Sequence, residues 1–295
     1  MMRFGGFIIT YNRPELLIQT INSVFQQTFP PELLWIIDNS DNVDTEFRFK
    51  NFEDKRVRYF RMGYNAGPAG GAKKGLELCT RDGLDWIYWG DDNDPPKSLD
   101  TFEKLQIHFE KEKIGVIGEV GQYFSFERAK VVRVKDFELK NKELIEVDFI
   151  AGGMSMMVSS AVIKSGVLPD SSFFFGFEEL DFCLNAKKKG FKVYADSHMF
   201  FERRKAKNYL GIKKPFYKNR FLRRLRREYY SLRNLLFLAL KHKSYRMILI
   251  LHFKWLVKGV FGFKNGIEYG MLNLKLISKA FFHFYTGKSG YSIKL

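Results

Sequence analysis

Residues 86–96 read Trp86-Ile87-Tyr88-Trp89-Gly90-Asp91-Asp92-Asn93-Asp94-Pro95-Pro96. Four consecutive apolar or aromatic side chains are the pattern of a buried parallel strand. The strand delivers three aspartates in four residues at its carboxyl end, where open α/β sheets bind their ligands. Carboxylates this close repel one another unless a positive charge sits among them, and hard oxygen donors suit Mg²⁺ or Mn²⁺ holding a diphosphate. Asp92 and Asp94 are thus a candidate metal clamp. The same residue types also make an ordinary solvated acidic turn, so the neighbouring segments decide between the two.

Upstream, Phe4 to Thr10 reads as a buried first strand, and Asn12 is placed to cap a helix whose first turn holds Pro14 and Glu15. Leu17, Ile21, Val24 and Phe25 follow at helical spacing. Leu33–Ile37 and Val57–Arg61 are the next strands, the first ending in Asp38-Asn39-Ser40-Asp41 and the second leading into Asn65-Ala-Gly-Pro-Ala-Gly-Gly-Ala-Lys-Lys-Gly75. This is the βαβ rhythm of a parallel sheet. Each polar cluster follows a strand's carboxyl end, so Thr10 to Arg13, Asp38, Asn65 to Gly71 and the aspartates are expected on one rim. The glycines of residues 67–71 suit either close backbone approach to a phosphate at a helix start or plain helix packing.

Downstream, a helix is expected around Ser98–Lys113 and a strand near Ile114–Ile117, with residues 120–148 a polar, irregular excursion. Phe149–Val158 is apolar but broken by Gly152-Gly153, and glycines inside a strand mark close backbone approach by a ligand. Phe173-Phe-Phe-Gly-Phe-Glu178-Glu179-Leu-Asp181 opens a helix that Gly190 stops. Acidic residues in a first helical turn serve the helix dipole, and at the mouth of a metal and phosphate site they can include a general base. Phe191–Val193 and His198–Phe201 read as short strands, the second ended by Glu202. Cys79 and Cys183 lie far apart in helix-like patterns and read as buried thiols.

The chain has 295 residues and a net charge of +16. Residues 1–202 hold 26 Lys and Arg against 31 Asp and Glu, whereas residues 203–295 hold 23 against 2. A division near Glu202 follows: 1–202 a catalytic α/β unit, 203–295 a basic helical region with a polyanionic partner. The opening MMRFGGFIIT lacks the features of a signal peptide, so a cytoplasmic location is expected.

Taken together, TYNRPELL, IIDNSD, NAGPAGGAKKG, the Asp92-Asn93-Asp94 clamp, AGGMSMMVSS and FGFEELDFCLNAKKKGFKV resemble family 2 inverting glycosyltransferases of the GT-A fold, over about residues 4–202. NAGPAGG and FEELDF look most like bacterial galactofuranosyl- and rhamnosyltransferases of polysaccharide synthesis. The resemblance implies a Rossmann-like, mostly parallel sheet with flanking helices. It implies that Thr10, Tyr11, Arg13, Asp38, Asn65, Gly70, Gly71 and Asp92 hold a nucleotide-sugar donor, and that Asp92 and Asp94 hold Mn²⁺ or Mg²⁺. Glu179 falls where the family places its general base, commonly an Asp. Relatives often supply a further metal ligand as a histidine near the position of Glu202; here Glu202 replaces it, His198 standing several residues early, or the third ligand is missing.

In the tail, Leu222, Leu225, Tyr229, Leu232, Leu236 and Ala239 recur at helical spacing, with Arg220, Arg223, Arg224, Arg226 and Arg227 crowding the start of the same helix. Arg246–Phe263 is apolar but interrupted by charge before the roughly 20 residues a spanning helix needs. Basic residues among aromatics suit peripheral binding to an anionic membrane, where a lipid-linked glycan acceptor would be met. The rival partner is single-stranded nucleic acid, though no recognisable nucleic-acid module accompanies the tail; a non-catalytic glycan-binding protein is the third reading. The expected activity is transfer of galactofuranose from its UDP donor, with rhamnose from dTDP as the alternative. The region from Arg203 onward is expected to be largely dispensable for donor binding.

Overall fold

A computed structural model describes residues 2–50, 52–140, 142–211 and 222–295. The first half alternates strand and helix: β1 (Phe4–Thr10), α1 (Pro14–Phe25), β2 (Leu34–Asp38), α2 (Asp44–Phe49), β3 (Val57–Arg61), α3 (Gly67–Arg81) and β4 (Trp86–Asp91). These four strands are parallel, in the spatial order β3-β2-β1-β4, with Phe4 opposite Trp86 and Ile9 opposite Asp91. The two-residue period of a strand splits each apolar run between two cores. Phe7, Ile9, Trp35, Ile37, Ile87 and Trp89 join the core under α3, while Ile8, Leu34, Ile36, Trp86 and Tyr88 join the one under α1.

The chain continues through α4 (Thr101–Gln106), β5 (Ile114–Gly118), β6 (Gly121–Ser125), β7 (Lys130–Val132), β8 (Leu144–Glu146), β9 (Phe149–Ile150), β10 (Met156–Ser159), α5 (Ser160–Lys164), α6 (Glu178–Lys188), β11 (Lys192–Asp196) and α7 (Ser197–Ala206). The main sheet extends as β4-β10-β5-β11-β8, with β10 and β8 antiparallel to their neighbours. This is the expected mixed, mostly parallel α/β architecture. Three local expectations fail. Residues 120–148 are not irregular: they supply β8 to the sheet edge and, with β9, a separate three-stranded sheet β7-β6-β9. His198–Phe201 is not a strand but part of α7, because the Asp196 carboxylate accepts from Met199 N at 2.8 Å and starts a helix there. Asn12 does not cap α1; it takes a left-handed φ of 55° and its side chain accepts from Asp41 N. Cys79 and Cys183 are free and buried.

Helices α8 (Leu222–Lys241), α9 (Tyr245–Phe261) and α10 (Ile267–Tyr285) follow. Arg220 lies outside the described residues. Leu225, Tyr229, Leu232, Leu236 and Ala239 are buried in the same continuous core as Phe7 and Leu180, so packing runs straight across the change of charge at Glu202. The link is polar as well: the fully buried Asn234 donates from Nδ2 to the carbonyls of Phe173, Phe175 and Gly176 at 2.8–2.9 Å. Those carbonyls belong to the loop that precedes Glu178. Asn234→Ala leaves them short of a donor in a dry setting, and we expect it to lower unfolding free energy by about 2–3 kcal/mol in urea denaturation.

Candidate active site

A cleft of about 770 Å³ opens beyond the carboxyl ends of β1, β2 and β4, lined among others by Tyr11, Arg13, Asn65, Asp91, Asp92 and Asn93. Its geometry starts with the parity of β4. Trp89 faces α6, with its ring 5.7 Å from that of Phe182, and Asp91 continues on the same side. Asp92 turns the other way. It is buried, with Oδ2 accepting from Thr10 Oγ1 at 2.9 Å and from Tyr11 N at 3.4 Å, and Oδ1 meeting Arg13 Nη1 at 3.2 Å. Its own carbonyl accepts from Thr20 Oγ1 at 2.6 Å. Asp92 therefore ties the β1–α1 turn to β4.

The other acidic groups meet at two residues without side chains. A Cβ on Gly152 would stand 2.5 Å from Glu179 Oε1 and 3.6 Å from Asp91 Oδ2. One on Gly153, whose φ is +71°, would collide with Asp94 Oδ2. Burial, followed by the charges of Glu179, Asp92 and Asp94, pushes the Asp91 carboxyl up to about 7. Burial also raises Glu179, and it raises the neighbouring buried Glu178 well above the usual carboxylate range, with the Glu179 charge adding to it. Asp94 is paired with Lys97. A basic carboxylate beside two further acids, at the edge of a cleft, can accept a proton and can help hold a cation.

The remaining expected residues divide. Thr10, Tyr11, Arg13, Asn65 and Asp92 line the cleft, Tyr11 donating from its hydroxyl to Asp41 and Asn65 Oδ1 accepting from Gly67 N at 3.0 Å; Asp94 is not among the lining residues but follows Asn93, which is. Asp38 ends β2 but is fully buried, accepting from Tyr59 Oη at 2.5 Å and Ser40 N at 2.8 Å; Asn39 and Asp41 line the cleft in its stead. Gly70 and Gly71 are buried inside α3, where a Cβ on Gly71 would stand 2.9 Å from Ile9 and 3.0 Å from Asn39. They serve packing, and Gly67 and Pro68 face the cleft. Glu202 sits on α7 with its side chain half exposed and Lys205 at 4.0 Å, and His198 is exposed. Among the described residues no three His, Cys, Asp or Glu side chains stand in a metal-binding arrangement, so Glu202 completes no site with Asp92 and Asp94.

A divalent cation nonetheless fits what Asp91 and Asp94 offer. Mg²⁺ and Mn²⁺ take one or two carboxylates and fill their other positions with substrate phosphate oxygens and water. The cleft is also lined by residues from far along the chain: Phe174, Phe175, Arg227, Tyr291, Lys294 and Leu295. Asp91 was legible from strand parity, whereas nothing in local sequence marks Arg227 or Lys294.

Residues 7–166, more than half of the chain, match the family described as glycosyl transferase family 2. The chain belongs to that family. It is accordingly a glycosyltransferase, and the match ends before Glu178 and Glu179. No curated protein sequence matches the chain. Among solved structures, S. aureus TarS residues 1–349 in complex with UDP aligns with a TM-score of 0.55 at 15% identity, covering 95% of this chain and 81% of that one. The same protein in complex with UDP-GlcNAc gives 0.55 at 14%, covering 95% and 80%. The mannosyltransferase PcManGT from Pyrobaculum calidifontis, in complex with GDP-Man and Mn²⁺, gives 0.54 at 11%, covering 98% and 89%. At these identities the likeness establishes the GT-A fold of this family 2 enzyme.

The two glycines give a direct test of the site's geometry. Gly153→Ala combines a left-handed backbone with displacement of Asp94, and we expect it to cost about 1–3 kcal/mol in thermal or urea unfolding. Gly63→Ala, equally left-handed at φ +77° but with nothing near its Cβ, is expected to cost about 1 kcal/mol. Equal losses would mean that the carboxylate contact is not close.

Proposed function

We propose that the chain is an inverting, metal-assisted glycosyltransferase in which Glu179 is the general base and Asp91 and Asp94 hold Mn²⁺ or Mg²⁺ against the donor diphosphate. The observation that carries this is the gathering of Asp91, Asp94 and Glu179 around Gly152 and Gly153 at the edge of the cleft. Glu179, its basicity raised by burial, takes the proton of an acceptor hydroxyl as that oxygen bonds to the anomeric carbon. The bond from that carbon to the diphosphate oxygen breaks on the opposite face, which inverts the centre. The cation supplies charge stabilisation to the departing diphosphate. Arg13, fixed by Asp92, presents a cation at the same cleft, and Tyr11, Asn39, Asp41 and Asn65 offer polar groups to a nucleoside.

For the donor we favour UDP-galactofuranose, on the resemblance of NAGPAGG and FEELDF to galactofuranosyltransferases, ahead of dTDP-rhamnose. The solved relatives that hold UDP, UDP-GlcNAc and GDP-Man are compatible with a nucleotide sugar and leave its identity to experiment. With Mn²⁺ present, Asp91→Asn is expected to weaken nucleotide binding at least tenfold in calorimetry. Glu179→Gln is expected to reduce transfer by about 10²–10⁴-fold with donor affinity little changed. Parental turnover in Glu179→Gln would move the base to another residue.

We place the acceptor at an anionic cytoplasmic membrane surface as a lipid-linked glycan. No helix among the described residues is long and apolar enough to cross a bilayer. Support for a peripheral contact comes from α9 and α10, where Leu249, Phe253, Leu256, Val260, Ile267 and Phe282 are exposed, and from the exposed Lys264, in the turn between the two helices, and Lys275 on α10. Apolar side chains entering the interface and lysines facing anionic headgroups are the two forces of peripheral binding, each near-surface Lys or Arg contributing about 1 kcal/mol. The full chain is expected to float with vesicles containing phosphatidylglycerol, less so at high salt, and Phe253→Ser with Val260→Ser to reduce it. Indifference to anionic lipid together with tight, salt-sensitive binding of single-stranded RNA would overturn the membrane reading.

A further inference from the structure

After α10 the chain returns to the cleft, and residues 289–295 are latched there at several points. Gly290 N donates to Ser172 O at 2.6 Å. The fully buried Arg233 donates from Nη1 to Gly290 O at 2.8 Å and Ser292 Oγ at 3.0 Å, and from Nη2 to Phe173 O at 3.1 Å. Tyr230 Oη accepts from the amides of Ser292 and Ile293, both at 3.0 Å, and donates to Ile293 O at 2.8 Å. Arg226 Nη1 donates to Lys294 O at 3.3 Å. A segment held by a buried guanidinium and a buried phenol is a built part of the fold.

Those latches present Tyr291 and Lys294 to the cleft that Tyr11, Arg13 and Asp91 line from the other end of the chain, with Arg227 of α8 beside them. The Tyr291 ring packs edge-on against Phe174 at 5.2 Å, and the Arg227 guanidinium lies 5.5 Å from the Phe175 ring. Neither Arg227 nor Lys294 has a carboxylate partner among the described residues.

Charge balance says what they are for. Asp92 offsets Arg13, and Asp94 is paired with Lys97. Of the three cations that line the cleft, Arg13 is thus matched by a carboxylate, while Arg227 and Lys294 are left to meet the negative charge that grows on a departing diphosphate. We propose that residues 290–295 form a wall of the donor site and that Lys294 and Arg227 bind the diphosphate, an inference that rests on the nucleotide-sugar reading above. It reverses, for these residues, the expectation that the region from Arg203 onward is largely dispensable for donor binding.

The test is UDP binding to the full chain with Mn²⁺, read by calorimetry, with UMP in parallel. Lys294 and Arg227 are exposed, so their alanine variants are expected to keep the parental unfolding temperature. Each is expected to weaken UDP binding about tenfold, the pair by more, with UMP affected less. Tyr230→Phe keeps the buried ring and removes three latch hydrogen bonds, so it is expected to weaken UDP binding without touching the nucleotide. Parental UDP affinity in both cation variants, alongside loss of Mn²⁺-dependent binding in Asp91→Asn, would overturn the wall and leave the glycosyltransferase site standing. Tighter UDP binding on deletion of residues 290–295 would make the segment a plug and equally overturn the proposal. Absence of UDP, GDP and dTDP binding in the parental chain would overturn both readings.

Discussion

Like charges held together in a poorly solvated place are the constraint on which the rest of this structure depends. Asp91, Asp94 and Glu179 come from two distant segments and meet only because Gly152 and Gly153 leave room where any side chain would collide. Burial, followed by the neighbouring charges, lifts Asp91 to about 7, and burial raises Glu179, so the arrangement opposes folding as it stands. An unpartnered Glu178 oxygen buried next door adds to the same tension. Such a site persists only where surrounding packing over-determines it. Here that packing is the double core on either face of β1 and β4, both strands being buried along almost their whole length.

The helices after residue 222 belong to that packing. Asn234 and Arg233 converge on the carbonyl of Phe173, and through it on the loop that places Glu178 and Glu179, while Arg233 also grips residues 290 and 292. Lys241 reaches the buried Asp181 at 2.7 Å, so α6 is held to α8 at a second point. The described basic residues of this region thus fall into two populations: some, such as Arg233 and Lys241, are tied into the packing around α6, or, like Arg227 and Lys294, line the cleft, and others, such as Lys264 and Lys275, are exposed. A division of the chain by charge alone runs the two together.

What the sequence made legible follows from which physical signals are local. Strand periodicity and polar clusters at strand ends placed β1 to β4, the shared rim and the helix beginning at Glu178, because those signals lie within a few residues. Errors arose where a residue's role is set by something distant. Asp38 lies at a strand end as a ligand residue should, yet Tyr59 on the next strand takes its carboxylate. Gly70 and Gly71 look like a phosphate loop, but Ala66 crowds the first and Ile9 and Asn39 the second into a packing role. His198 lies in an apolar run with the look of a strand, but the Asp196 carboxylate accepts from Met199 N and starts a helix there.

The acidic triplet shows how far a rule as simple as alternation can carry. Adjacent residues on a strand point to opposite faces, so Asp91 and Asp92 cannot share one task. The side of β4 that buries Trp89 against α6 gives Asp91 to Glu179; the side that buries Tyr88 gives Asp92 to the turn between β1 and α1. One carboxylate is consumed in positioning Thr10, Tyr11 and Arg13, and its partner is left with oxygens to spare among like charges. Motif spacing alone selects Asp92 and Asp94, because it counts residues without asking which way they face. Once facing is included, Asp91 is the carboxylate turned towards Glu179, and the work of Asp92 is to hold Arg13 at the cleft.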